Sequence, residues 1–98
     1  MREQKVEKYL AEKVKANAGL CWKWTSPSVN GVPDRIIITP AGRVIFVELK
    51  SDGGKLSAIQ QRRIYEMRQR NADVRICKGL LEVQELIAEL FPERGDAK

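Results

Sequence analysis

The chain predicts an α/β fold, in which a mixed sheet of about four strands is flanked by helices. Two observations carry this. Residues 35–39 (RIIIT) and 43–49 (RVIFVEL) are β-branched apolar runs, separated only by Pro40, Ala41 and Gly42. Stretches of helical periodicity lie before and after them, so the element order reads α-β-β-β-α-β-α. At 98 residues the chain is sized for a single domain, 1–98, with its core in about 3–90 and a loose C-terminal tail, 92–98.

Residues 3–17 form the first helix. Val6, Tyr9, Leu10 and Val14 recur at helical spacing, and Gly19 follows as a stop. Residues 20–25 (LCWKWT) make a short strand, in which the period of two puts Trp22 and Trp24 on one face. Two tryptophans so placed are expected in the core. Residues 26–33 are a loop with Ser-Pro and Asn-Gly turn chemistry. The two strong strands follow, apolar on both faces and therefore central in a sheet covered on both sides. Residues 51–55 are a loop with two glycines. A helix runs from Ser57 to about Arg70, a strand over 71–77 and a last helix over 80–90. On that helix Val83, Leu86, Ile87 and Leu90 make the apolar face, while Leu81, Glu85 and Ala88 follow another line.

Eighteen Lys and Arg against thirteen Asp and Glu give a formal charge of +5, which suits a polyanionic partner as well as simple solubility. The absence of histidine removes the usual zinc chemistries and any Ser-His or Cys-His nucleophile. Cys21 and Cys77 form no ligand cluster, so a reducing, cytoplasmic setting is expected. The charged N-terminus is no signal peptide, and no apolar run approaches the roughly 20 residues of a membrane span.

Three charged groups sit where core strands should not carry them. Glu48 and Lys50 share one face of their strand with Val44 and Phe46. Burying such a group unpaired costs several kcal/mol, roughly, which a paired charge, a metal site or catalysis would justify. If residues 40–42 are a three-residue hairpin loop, Thr39 faces Arg43 and Asp34 faces Glu48, about 5 Å apart. Two carboxylates that close repel unless one is protonated or a cation lies between them. An all-oxygen site suits Mg²⁺ or Mn²⁺. A one-residue shift of register would turn the two to opposite faces. On residues alone, a plain ion-pair network competes with the metal site.

Gly31-Val32-Pro33-Asp34, followed fourteen positions on by Glu48-Leu49-Lys50, resembles the PD-(D/E)xK nuclease signature. More closely, the stretch 3–90 resembles the VRR-NUC domain. The matching pieces are Glu3-xx-Val6-Glu7-xx-Leu10, Gly31 to Arg35, Phe46 to Lys50 and Leu56-Ser57-xx-Gln60. The eponymous Val-Arg-Arg reads Val74-Arg75-Ile76 here, one arginine short. The resemblance implies a restriction-endonuclease-like core and a division of labour. Asp34 and Glu48 would hold one or two divalent ions, with the Leu49 backbone carbonyl as a further ligand and water for the rest. Lys50 would orient the attacking water or offset charge on the transition state.

Glu7 is the further acidic candidate, as a catalytic residue and metal ligand. At about 100° per residue it borders the core-facing stripe, as does the alternative, Glu3. Gln60 has two readings. It closes a capping box with Ser57, and the resemblance places it beside the lysine in the site. Lys23, on the strand face opposite the tryptophans, and Ser26, Asn30, Arg35 and Lys55, in or next to the bordering loops, are candidate nucleic-acid contacts. Trp22 and Trp24 have stacking on unpaired bases as their second reading.

The expectation is therefore a Mg²⁺- or Mn²⁺-dependent endonuclease hydrolysing DNA phosphodiesters. The short stand-alone members of the family resemble phage nucleases acting on branched DNA, and are similar to dimeric Holliday-junction resolvases. This implies four-way junctions or other branched DNA as substrate, a homodimer, and the host cytoplasm as location if the chain is phage-encoded. The rivals are a non-catalytic basic nucleic-acid-binding module and an interaction domain stapled by ion pairs.

Overall fold

A computed structural model describes residues 2–92; of the expected tail, all but Pro92 lies outside the described residues. The elements are α1 (Glu3–Ala16), β1 (Leu20–Lys23), β2 (Arg35–Ile38), β3 (Val44–Lys50), α2 (Ala58–Arg68), β4 (Val74–Lys78) and α3 (Gly79–Leu90). This is the expected α/β order. The sheet runs β1-β2-β3-β4, antiparallel except for the parallel β3–β4 pair that α2 connects. The two β-branched strands are the central ones, as their composition requires.

The turn at 40–42 sets the register. Thr39 N–H donates to the Arg43 carbonyl (2.9 Å), Gly42 N–H to the Thr39 carbonyl (2.8 Å) and Arg43 N–H to Thr39 Oγ1 (3.0 Å). Arg35 then faces Val47 and Ile37 faces Ile45. One sheet face carries Ile37, Ile45, Val47 and Leu49. Against it pack Val6, Leu10 and Val14 of α1 and Val83, Leu86, Ile87 and Leu90 of α3. Each side chain buried there contributes about 1.5–3 kcal/mol. Leu81 is exposed, on the other line of α3.

The other face departs from the expectation of full cover. Here α2 packs on the β4 end, and Leu20, Trp22 and Val44 stay exposed. Trp22 is 57% exposed, so the expectation of a core residue is corrected: β1 is an edge strand and α2 does not reach over it.

The C-terminal ends of α1 and α2 have local causes. Ala18 takes a left-handed φ of 63°, and Gly19 N–H reaches back to the Val14 carbonyl (2.9 Å). The left-handed residue is thus Ala18 and not the expected stop, Gly19. Asn71, at φ 65°, does the same for α2, with Ala72 N–H on the Met67 carbonyl (3.1 Å).

Away from the carboxylates, Arg75 clamps Asp73 (2.6 Å) and Glu89 (2.7 Å), and Arg43 joins both. Burial would raise the Asp73 carboxyl, but the hydrogen bonds from Arg75 and Arg43 outweigh it and hold it below the usual range. The arginine of the Val-Arg-Ile stretch is thereby a structural clamp between β4 and α3. No helix among the described residues is long and apolar enough to cross a membrane.

Candidate active site

The face turned away from α1 and α3 is built of cross-strand rows. Leu20, Ile38 and Val44 make one, and Trp22, Ile36 and Phe46 the next. One step further in the same register lie Trp24, Asp34 and Glu48. Trp24 N–H donates to the Asp34 carbonyl (2.8 Å), which extends the β1–β2 ladder to that row. Ile76 of β4 is the neighbour of Glu48 on its other side.

Glu48 is 1% exposed, enclosed in the sheet beneath the start of α2. Its Oε2 accepts from Gln60 Nε2 (3.0 Å) and lies 3.6 Å from Lys50 Nζ, while its Oε1 is buried with no hydrogen-bond partner. Burial, and then the charge of Asp34, push the carboxyl up to about 7, against the opposing pull of Lys50. An acceptor left orphaned on a buried carboxylate costs about 1–3 kcal/mol or more. It is the kind of atom that a cation satisfies.

The Asp34 carboxylate accepts from Leu49 N–H at its Oδ2 (2.9 Å). The parity of the ladder explains this. The odd-numbered residues of β2 and β3 turn their N–H and C=O groups toward each other, as the Thr39–Arg43 pair shows. The next odd pair past the ladder's end is Pro33 with Leu49. Proline has no N–H to give, so the ladder offers the Leu49 carbonyl no donor. Asp34 takes the Leu49 N–H instead. Three oxygens, from Asp34, Glu48 and Leu49, are thus left with acceptor capacity at the end of β3. Among the described residues no three His, Cys, Asp or Glu side chains form a metal-binding group, so backbone and water must complete any coordination sphere. An all-oxygen set of this kind fits a hard divalent ion.

Gln60 closes the expected capping box and also reaches Glu48. Its Oε1 accepts from Ser57 N–H (2.9 Å) and its backbone N–H donates to Ser57 Oγ (3.2 Å), which closes the capping box of α2. The same side chain donates to Glu48 through Nε2.

Glu7 lies elsewhere. Its Oε2 meets Arg35 Nε (3.2 Å) and Lys23 Nζ (4.0 Å). Lys23 and Arg35 are paired on the face that α1 covers, because strand period sets them one residue out of step with Trp24 and Asp34. Arg35 also donates to the Cys21 carbonyl (3.2 Å) and is largely buried. The α1 carboxylate whose charge reaches Glu48 is Glu3, one turn earlier. Of the loop residues, Asn30 and Lys55 are exposed and Ser26 is half-buried. The parity that sets Lys23 opposite the tryptophans also separates Arg35 from Asp34.

A buried carboxylate facing a second one, with a lysine two residues on and an α/β sheet behind them, is the arrangement of a PD-(D/E)xK nuclease. Comparison with known proteins agrees. The model of the VRR-NUC domain matches residues 2–80, and the chain belongs to that family, which makes it a nuclease domain. It is 42% identical over 62 residues, 63% of this chain and 67% of the relative, to a protein named "Putative nuclease p44" of Acyrthosiphon pisum secondary endosymbiont phage 1. A solved VRR_NUC domain superposes with a TM-score of 0.82 at 34% identity, covering 87% of this chain and 92% of the other. A second, a VRR_NUC domain protein at 18% identity, shares the fold with a TM-score of 0.74 over 94% and 89%.

Proposed function

We propose that the chain is a Mg²⁺- or Mn²⁺-dependent endonuclease that hydrolyses phosphodiesters of branched DNA. The observation that carries the metal dependence is the partnerless, buried Oε1 of Glu48 beside Asp34. Asp34, Glu48 and the Leu49 carbonyl would hold the ion, and Glu3 is the α1 carboxylate to which a further role falls, in place of Glu7. When bound, a divalent ion there supplies acidity to water and positive charge to the phosphate. Lys50, held beside Glu48, orients the attacking water and offsets charge growing on the phosphoryl oxygens. Gln60 fixes the Glu48 carboxylate in one orientation. The formal charge of +5 favours a DNA partner. A homodimer would present two such sites to two strands of a junction, in the host cytoplasm if the chain is phage-encoded.

The test is cleavage of labelled single strand, duplex, flap, splayed arm and four-way junction, in Mg²⁺, Mn²⁺ or EDTA, by wild type and Lys50→Ala. Metal-dependent cutting that falls about 100-fold or more in Lys50→Ala is expected. Salt-sensitive binding with no cutting in either metal leaves the non-catalytic binding module.

The Leu49 carbonyl has its own test. Pro33→Ala restores an N–H opposite it, and a hydrogen bond of about 1 kcal/mol would then compete with the ion. Calorimetric Mn²⁺ affinity is expected to fall about fivefold, with the new amide at position 33 slow to exchange. Unchanged affinity together with a protected amide would remove Leu49 from the ligand set.

A further inference from the structure

The row next to the carboxylates carries an exposed aromatic side chain that the catalytic reading leaves unused. Trp22, 57% exposed, stands one row from Asp34 and Glu48 on the same sheet face. Residues two apart on a strand are about 6.7 Å apart, so this row is within about one or two nucleotides of a phosphate held at Asp34. Trp24, in the carboxylate row itself, leans on Phe46, with ring centroids 5.3 Å apart and planes at 45°. Its ring is half-buried there, whereas Trp22 stands clear. Leu20 and Val44, in the row beyond, are also exposed, so nothing in the described chain covers this end of the sheet.

We propose that Trp22 is a stacking platform for an unpaired DNA base next to the scissile phosphate, an inference that rests on the nuclease reading of the same site. The aromatic row is continuous with the carboxylate row, so it lies under a strand that runs along the sheet from a phosphate at Asp34. A base still paired in a duplex keeps both faces against its neighbours and has none to offer. An unpaired base does, and every base has a π-face, so the preference is for exposed strands without regard to sequence. A second copy of the chain lying flat on this face would cover Asp34 and Glu48, which the phosphodiester must reach. The occupant that leaves the site usable is the substrate itself.

The experiment measures binding in EDTA of a labelled single strand, a splayed arm and a blunt duplex across a salt series, by wild type, Trp22→Leu and Trp22→Phe, with melting curves for each. Stacking predicts that Trp22→Leu weakens single-strand and splayed-arm binding by about tenfold, within the range seen for one base on one aromatic ring. Trp22→Phe should restore most of it, because it keeps a π-face. Duplex affinity, the salt slope and the melting temperature should not move, since no phosphate contact is lost. Equal loss on all three DNAs, or no loss on any, overturns the proposal. So does a change from dimer to monomer in sedimentation with single-strand affinity intact, which would assign the face to a second copy. Cutting by wild type without a selective Trp22→Leu defect overturns the stacking alone. A selective binding defect in a protein that never cuts supports the stacking and removes the nuclease reading.

Discussion

A glutamine in place of Glu48 is expected to abolish cleavage and to make the metal-free protein more stable above pH 7. The two effects have one cause. Glu48 is 1% exposed and has its carboxyl pushed up to about 7, by burial first and by Asp34 second. Between the unfolded value, near 4.5, and about 7, the folded chain therefore keeps a proton that the unfolded chain has released. Stability is full below that window and falls as the pH rises through it, by on the order of 3 kcal/mol in all. Glutamine carries no charge to bury, and its side-chain oxygen can still accept from Gln60. In EDTA, wild type should lose about 10 °C of melting temperature between pH 5 and pH 8 relative to Glu48→Gln. Asp73 and Glu89 do not confuse the comparison. Their carboxyls are held below the usual range, so what they contribute is lost only under more acid conditions. Cleavage should fall about a thousandfold, because a neutral amide is a poor partner for a hard cation. Parallel melting profiles for the two proteins would show that the buried carboxylate carries no such penalty.

Gly31→Ala is expected to add backbone strain and a main-chain clash at once. Gly31 has a φ of +84°, where an L-residue loses about 1–2 kcal/mol. A Cβ there would also lie 2.9 Å from the Ile59 carbonyl oxygen and 3.0 Å from its carbon. Those are backbone atoms of the first turn of α2, so no side-chain rotation relieves them. Either the loop or the helix start must move. Asp34 follows three residues after the glycine, and Gln60 is the residue after Ile59. A loss of about 2–3 kcal/mol in denaturant melts is therefore expected. At temperatures where the variant is still folded, turnover should also be lower, because either movement displaces a group of the site. A variant that melts within about 1 °C of wild type would mean that loop and helix do not press on each other in solution.

Much of this was legible in the chain. The β-branched runs around Pro40-Ala41-Gly42 placed β2 and β3 at the centre of the sheet. The three-residue turn gave the register that sets Asp34 across from Glu48. Those features are local, and turn chemistry with a period of two is enough to read them. The side of α1 that meets the site was not legible. Glu3 and Glu7 border the same helical stripe, and choosing between them needs the position of α1 along the sheet and the side taken by Arg35. The exposure of Trp22 was also out of reach, because it follows from where α2 lies over the sheet. Periodicity cannot tell an apolar face that is covered from one that is left bare. The meaning of Pro33 needed two things together, the register and the parity of the hydrogen bonds, so the motif was visible before its reason was.

The amide of Gln60 has a consequence beyond holding one carboxylate. Its oxygen closes the first turn of α2 and its nitrogen restrains Glu48, so the two ends of one planar group tie a helix start to a charge. Fraying of that turn and loosening of the carboxylate are then a single event with a single free energy. Whatever immobilises the carboxylate also lengthens the life of the helix end, and a substitution that frays the helix reaches the carboxylate without touching it. The buried carboxylate and the secondary structure beside it share one equilibrium.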